Sequence, residues 1–452
     1  QRAAVSHTAH LTGADTAYDA VFERYGVIRV FDMEEMLAAA AAFARFPHGR
    51  VRRAAVVTTS GGAGAWAADL CGTLGIDVPE LSAELQADIG EFIPEFGSPA
   101  NPVDVTAQAV EAGGVPLVRV LEKLQHSDEI DAMIVNMGLH KAGRINSLAE
   151  LLGPVYAQAN KPILFHSHIL PVSQNMASLA ALGGQGFTSF RGCASALSAL
   201  DRHAAFLESW KRRAPIPPAR VAVMDHALAG VFDEADTAKL LAAYDIPVPP
   251  SALTANRDDA AREAAAMGFP VVLKIQSPDI AHKTEAGGVA LNIGAGEVEG
   301  AFDRILASVK AYAPAARIEG VLVQKMMPKG HEIVIGVTRD ADFGPLVMLG
   351  SGGIYLEVLK DVVFAPPPLS VDDAKALIGR LKTAPILAGA RGQAPADIDA
   401  LAALVSRVAE LARAESNIDQ LDLNPVFVYP AGEGVVTVDA LVVAGQPHGG
   451  GH

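Results

Sequence analysis

Three groups of residues in this sequence carry side chains of the kind that handle phosphate. The first is a lysine ending an apolar strand, Phe269-Pro270-Val271-Val272-Leu273-Lys274, followed by Gly287 and Gly288 in His282-Lys283-Thr284-Glu285-Ala286-Gly287-Gly288-Val289. A cation and bare backbone amides together neutralise polyphosphate, and such a loop needs small residues for close approach. The second is Asp422-Leu423-Asn424-Pro425, which puts two oxygen-bearing side chains on one face of a strand, with Asp439 on the strand that follows. Oxygen ligands of this kind suit Mg²⁺, which takes its remaining oxygens from phosphates and waters. The third is Gly350-Ser351-Gly352-Gly353, whose glycines permit a phosphoryl nest, together with the guanidinium of Arg391 in Gly389-Ala390-Arg391-Gly392. Each also has a plain structural reading as an edge lysine, a glycine turn or an Asx turn. Together they describe an ATP and Mg²⁺ site better than any one does alone.

Strands must position these residues. The runs 320–325 and 332–337 keep a period of two across a short turn at 328–330, and 421–429 and 435–442 form a hairpin around 430–434. These are antiparallel signals, flanked by amphipathic helices over 233–244 and 258–267. Upstream, Ala54-Ala55-Val56-Val57-Thr58-Thr59 reads as a buried strand, and Ser60-Gly61-Gly62-Ala63-Gly64 turns it into a helix running to Leu74. Apolar strands over 131–137 and 161–166 bracket another helix, so strands alternate with helices as in a parallel, doubly wound sheet. Between the two patterns, Lys211-Arg212-Arg213-Ala214-Pro215-Ile216-Pro217-Pro218 reads as an extended, exposed linker.

Composition bounds the rest. A length of 452 residues exceeds what one core supports, and 50% hydrophobic with only 6% aromatic residues suits α/β layers. A net charge of −15 argues against a surface that tracks DNA or RNA phosphates. No segment reaches the ~18 apolar residues of a membrane span. Two cysteines, Cys71 and Cys193, make no disulfide framework and fit a reducing, cytoplasmic setting.

The motifs around Lys274, His282 to Val289, Gly350 to Gly353 and Asp422 to Pro425 resemble the ATP-grasp domain of NDP-forming acyl-CoA synthetases. That family includes ADP-forming acetate-CoA ligases and is related to succinyl-CoA synthetase. Upstream, Ser6-His7-Thr8-Ala9-His10-Leu11-Thr12-Gly13 is similar to the family's phosphohistidine loop. Thr58 to Gly64 and Asn101-Pro102-Val103-Asp104 resemble its following flavodoxin-like domain. The resemblance implies residues 1–26 as the tail of a first flavodoxin-like domain and 27–205 as a second one. A linker over 206–225, an ATP-grasp domain over 226–445 and a flexible tail over 446–452 complete the expected order.

The resemblance also implies roles. His7 carries a phosphoryl group between an acyl phosphate and the nucleotide, with Ala9 and His10 departing from the family's usual Ser-His-Thr-Gly, so that His10 is a rival. His282 is a second phosphohistidine candidate. Gly61, Gly62 and Gly64 open a helix whose free N–H groups stabilise that phosphate, or else serve only strand-to-helix packing. Lys274 goes to the phosphates, Val323-Gln324-Lys325-Met326 lies beside adenine, and Glu332 approaches the ribose. Asn424 and Asp439 hold Mg²⁺, and Asp422 stands where a relative has a glutamate that assists transfer. The implied reaction is acid + CoA + ATP to acyl-CoA + ADP + phosphate, in an assembly of at least two chains. Its partners are a small carboxylic acid, coenzyme A and the nucleotide, with the CoA-binding part in a longer chain or another polypeptide. A nucleotide-binding regulatory module without complete catalysis is the alternative.

Overall fold

The computed structural model describes residues 14–46, 49–111, 113–213, 218–224, 230–280, 283–353, 360–392 and 394–445. The chain divides into two compact units, one of residues 25–214 and one of residues 1–24 with 215–452.

The 25–214 unit is built on five parallel strands: β1 (Ala54–Thr58), β2 (Val103–Asp104), β3 (Ala132–Asn136), β4 (Ile163–His166) and β5 (Gln185–Phe187). Their spatial order is β2-β1-β3-β4-β5, the doubly wound arrangement expected. Strands β1, β3 and β4 are buried along their whole length, which explains apolar runs without alternation. Ala55 and Val57 face one core with Leu117, Leu121 and Phe165, while Ala54 and Val56 face the other with Cys193 and Leu197. Both cysteines are buried and free. Strand β2 is too short to pair all of β1, and Asn101 completes the edge. Its amide accepts from Val56 N at 2.9 Å and donates to Ala54 O at 2.9 Å and Pro79 O at 3.0 Å. The last helix, Phe190–Arg212, continues into the stretch read as a linker. It buries Leu197, Leu200 and Ala204, and its backbone leaves the helix only at Arg213, ahead of Pro215.

The other unit contains two antiparallel sheets. One is ordered β7-β10-β8-β9, from β7 (Ser251–Thr254), β8 (Val271–Gln276), β9 (Val289–Ile293) and β10 (Gly320–Lys325). The other is ordered β13-β12-β11-β14-β16-β6, with β6 (Gly230–Val231), β11 (His331–Asp340), β12 (Gly344–Ser351), β13 (Val362–Ala365), β14 (Ile418–Val428) and β16 (Ala440–Ala444). Strand β15 (Val435–Thr437) pairs with β14. Two expectations change here. Strands β10 and β11 do not pair across residues 328–330 but belong to different sheets, because a period of two specifies a strand's faces and not its partner. Lys274 does not end its strand: β8 runs on to Gln276, and Lys274 sits opposite Leu322.

The helix Ala14–Tyr25 packs within this same unit. Ala20 joins Val334, Met348 and Phe364, Tyr18 meets Phe343 edge-on at 4.8 Å, and Arg24 pairs with Asp373 at 3.1 Å. Among the described residues no helix is long and apolar enough to cross a membrane.

Candidate nucleotide and phosphate sites

Alternation along β8 and β10 decides which side chains can do chemistry. Leu273, Ile275, Val321 and Val323 point into the core shared with the helices Arg257–Met267 and Val298–Tyr312. Lys274, Leu322 and Gln324 take the other face and line a cavity of about 40 Å³ with Glu234, Thr437 and Asp439. Lys274 Nζ lies 3.2 Å from Asp439 Oδ1, and Gln324 Nε2 donates to Val438 O at 3.4 Å. The side chain of Lys274 is 11% exposed, against 56% for Asp439. The cation is therefore held back from water while its partner stays accessible. Val323 has its side chain in the core, so only its main chain reaches this region, and Met326 N is already donating to Pro270 O at 3.2 Å.

Lys283 and Glu234, which sequence reasoning left out of the site, form an ion pair at the same cleft. Burial holds the Lys283 ammonium below the usual lysine range, with Asp439 and Asp233 acting in the opposite direction. Its signal lay in the His-Lys-Thr-Glu-Ala-Gly-Gly run itself, whereas nothing local marks Glu234. The two glycines shape the loop that carries Lys283. Gly287 has a φ of 65°, and its N–H donates to Thr284 O at 3.1 Å. Gly288 N–H donates to Lys283 O at 2.7 Å, and a Cβ at Gly288 would lie 2.5 Å from Ile275. In this conformation both amides close the turn.

On β14, Asp422 is buried opposite Gly336, and Asn424 N donates to Asp439 O at 3.1 Å. Asn424 and Asp439 are thus neighbours across the ladder. Among the described residues no group of three or more His, Cys, Asp or Glu side chains forms a metal cage. An exposed carboxylate next to an amide is the donor set that fits Mg²⁺ carried in with phosphates.

Glu332, Gly352 and Gly353 come together elsewhere in the unit. They line a second cavity of about 410 Å³ with Ser351, Thr383 and Leu387. Gly352 N donates to Glu332 O at 2.7 Å, and Cβ atoms on Gly352 and Gly353 would each lie 2.8 Å from Glu332. Beneath them, buried Asp361 accepts from Ser351 Oγ at 2.9 Å, Thr383 Oγ1 at 2.8 Å and Lys382 N at 2.8 Å. Those hydrogen bonds hold its carboxyl below the usual range against the opposing effect of burial.

In the 25–214 unit, Gly61 and Gly62 begin the helix Gly61–Thr73, whose N-cap Ser60 makes no side-chain cap. A Cβ on Gly61 would lie 3.2 Å from Asp104 Oδ2, and Gly62 faces open space. Gly64 serves packing, since a Cβ there would lie 2.9 Å from Thr58 and 3.0 Å from Pro102. Arg391 stands in a 3₁₀ turn, Ala390–Gly392. His7 and His282 lie outside the described residues, as does the side chain of Arg391.

At the ends of the parallel strands stands a polar cluster that sequence reasoning missed. Asn136 Nδ2 donates to Thr58 Oγ1 at 2.9 Å, and its Oδ1 meets His166 Nδ1 at 2.9 Å and His168 Nδ1 at 3.3 Å. His166 stacks on Phe190 at 3.7 Å. Burial, and then the neighbouring His168, push the His166 imidazole down to about 4.

A parallel, doubly wound unit joined to an antiparallel unit with a lysine–aspartate cleft defines an α/β phosphate-handling protein with an ATP-grasp domain. The ATP-grasp domain family matches residues 225–443, the succinyl-CoA ligase like flavodoxin domain residues 1–43, and the Ligase-CoA domain residues 54–135. Acetate--CoA ligase [ADP-forming] I of Archaeoglobus fulgidus is 34% identical over 98% of this chain, and the chain spans 64% of that relative's length. The beta subunit of acetate--CoA ligase [ADP-forming] I of Pyrococcus furiosus is 42% identical over 46% of this chain and 90% of its own. A solved structure of the dinucleotide-forming acetyl-coenzyme A synthetase 1 of Ca. Korarchaeum cryptofilum is 39% identical. It covers 48% of this chain and 93% of its own, with a TM-score of 0.46. The chain belongs to the family of ADP-forming acyl-CoA and acetate-CoA ligases.

Proposed function

We propose that this chain is the nucleotide-binding and phosphotransfer portion of an ADP-forming acyl-CoA synthetase, converting a carboxylic acid, CoA and ATP to acyl-CoA, ADP and phosphate. The observation that carries the reading is the cleft in which Lys274 reaches Asp439 beside Asn424, Gln324 and Lys283. Lys274 and Lys283 present two ammonium groups to the nucleotide phosphates, and Gln324 offers an amide to the base. Asn424 and Asp439 would hold Mg²⁺, which supplies charge neutralisation at the phosphates during transfer. Binding draws Asp439 from Lys274, so each charge exchanges one partner for another. Glu332, Gly352 and Gly353 flank the ribose and phosphoryl side, and Asp422 orients a histidine. Gly287 and Gly288 aim Lys283, while the main chain of Val323 and Met326 borders the base.

Phosphoryl transfer in this reading passes through histidine. The bond from the γ-phosphorus to its bridging oxygen breaks, a phosphorus–nitrogen bond forms at His282 or His7, and ADP leaves. The carboxylate of the acid then takes the phosphoryl group, and the CoA thiol displaces phosphate from the acyl phosphate. Gly61 and Gly62 leave the first-turn amides of their helix without a side-chain cap, free for a phosphoryl group. A cytoplasmic enzyme of two or more chains fits relatives that divide the same parts between alpha and beta subunits.

The test is incubation with γ-labelled ATP and Mg²⁺, followed by acid and base treatment and peptide mapping. Acid-labile, base-stable label on His7 or His282 is expected. Full turnover by His7→Ala and by His282→Ala, each in the reconstituted enzyme, would overturn the reading.

A further inference from the structure

One buried carboxylate in the antiparallel unit joins the walls of the larger cavity and stands outside every role assigned above. Two of those walls are strands that pair directly: β11 carries Glu332, and β12 ends at Ser351 ahead of Gly352 and Gly353, with Ile333 opposite Ser351. The third wall, Thr383 with the helix Ala384–Leu387, belongs to no strand. Asp361 makes the connection. It stands where the chain rejoins the sheet ahead of β13, and Ser351 N donates to its carbonyl at 3.1 Å. Its Oδ2 accepts from Ser351 Oγ at 2.9 Å, from Thr383 Oγ1 at 2.8 Å and from Thr383 N at 3.0 Å, while Oδ1 accepts from Lys382 N at 2.8 Å. The hydroxyls of Ser351 and Thr383 also meet each other. A single side chain thus clamps the end of β12 to the start of the helix.

The clamp does more than satisfy a buried charge. Thr383 is the N-cap of its helix, where a threonine hydroxyl ordinarily accepts from the first turn, yet among the described residues it makes no such cap and turns to Asp361 instead. Lys360, immediately before the carboxylate, has a φ of 46°, a left-handed conformation that a non-glycine residue keeps only where its surroundings hold it there. Strain of this kind gathers at functional sites. Asp361 is 2% exposed and does not itself line the cavity, so its influence passes through Ser351 and Thr383, which do.

We propose that Asp361 is a positioning residue for phosphoryl transfer: by clamping Ser351 to Thr383 it fixes Glu332 and the turn Gly352–Gly353 against the helix wall, in the geometry that the transferring group requires. The inference rests on the reading of Glu332, Gly352 and Gly353 as the ribose and phosphoryl side of the nucleotide site. In that reading Lys274 and Gln324, at the smaller cavity, supply affinity for bound ATP. Loosening the clamp therefore leaves ATP bound but misplaces the groups around the γ-phosphoryl, and a displacement of about 1 Å costs on the order of 100-fold in rate.

The experiment compares the whole chain with Asp361→Asn, which keeps the volume but puts an N–H where an acceptor stood, and with Ser351→Ala. Single-turnover labelling by γ-labelled ATP and Mg²⁺ gives the transfer rate, equilibrium dialysis gives ATP affinity, and a thermal melt gives stability, the first two measured well below each variant's Tm. In Asp361→Asn the labelling rate at saturating ATP should fall about tenfold or more, with affinity within about threefold of wild type. Ser351→Ala should show a smaller loss of rate. Thr383→Val slows labelling as well, and Thr383→Ser, which keeps the hydroxyl, restores most of it. An unchanged rate at saturating ATP, whatever the melt, overturns the proposal, and so does a loss confined to affinity. If Asp361→Asn misfolds, Ser351→Ala and the two Thr383 variants give the same decision. A wild-type chain that takes no label ends the phosphotransfer reading and this inference together, whereas label in wild type with unchanged rates in the variants ends this inference alone.

Discussion

The two units use polar residues in opposite ways. In the parallel unit, Thr58, Asn136 and His166 are buried at strand ends and bonded to one another, so the chemistry-bearing groups are also structural members. In the antiparallel unit, Lys274 and Gln324 project from mid-strand positions into a cleft, and the apolar neighbours Leu273 and Val323 hold the fold without them. A parallel sheet buried on both faces has room for polar groups only at its ends, where they must satisfy each other. An antiparallel sheet offers one whole face. Substitutions in the first region should therefore cost stability, and those in the second should cost binding.

The largest effect is expected at Asn136. Asn136→Leu preserves volume but leaves Nδ1–H of buried His166 without its partner and takes from Thr58 Oγ1 one of its hydrogen bonds, those to Ser60 remaining, at a cost of about 2–4 kcal/mol. Urea unfolding of that unit's transition measures it, and a loss under roughly 1 kcal/mol would erase the contrast between the units. Acid gives the next largest effect. An unfolded His166 takes its proton near 6.5, whereas the folded one stays neutral to about 4. Its contribution is thus complete above the unfolded value and is lost as pH falls from 6.5 toward 4, by up to about 3 kcal/mol. His166→Gln should flatten that part of the stability–pH curve, and an unchanged curve would mean the imidazole already carries its proton in the fold.

The same contrast governs what could be read from sequence. Strand period and turn chemistry are local, so the β1-to-helix turn at Gly61 and the hairpin β14–β15 were legible before folding, whereas Lys274 was read as a strand end and stands in mid-strand. Gly64 and Gly288 stood out as glycines, but only the packing of Thr58, Pro102 and Ile275 shows why no Cβ fits. The Asn136 cluster was not legible because its members, Thr58, Asn136 and His166, meet only through the parallel register of β1, β3 and β4. Glu234 meets Lys283 for the same nonlocal reason. The pairing of β10 was misjudged because β7 and β8, both earlier in the chain, compete successfully with β11 for its edges.

Lys274→Met sharpens the comparison from the other side. In the proposed reading it removes an ammonium directed at phosphate while keeping an unbranched chain on β8, so ATP affinity should weaken about 10–100-fold. Stability should move little, because the ion partner Asp439 is more than half exposed and such pairs contribute about 0–1 kcal/mol. Equilibrium dialysis with ATP beside a thermal melt checks both halves. A melt lowered as much as in Asn136→Leu would show that the cleft is knit into the fold after all.

Gln324→Leu should give the smallest effect. Its hydrogen bond to Val438 O is long, at 3.4 Å, and the neutral amide offers the base one or two ordinary hydrogen bonds rather than a charge. Leucine keeps the even-numbered face of β10 filled, as Leu322 already does, so the sheet should melt unchanged. ATP affinity should fall by no more than about tenfold, and discrimination between ATP and GTP should fall with it, because in the proposed reading the amide serves the base and not the phosphates. Side-by-side dialysis of both nucleotides against wild type and the variant measures this. If Gln324→Leu instead weakened binding as far as Lys274→Met, recognition in the cleft would centre on the base edge, and the two ammonium groups would serve the transferring phosphoryl group rather than ground-state affinity.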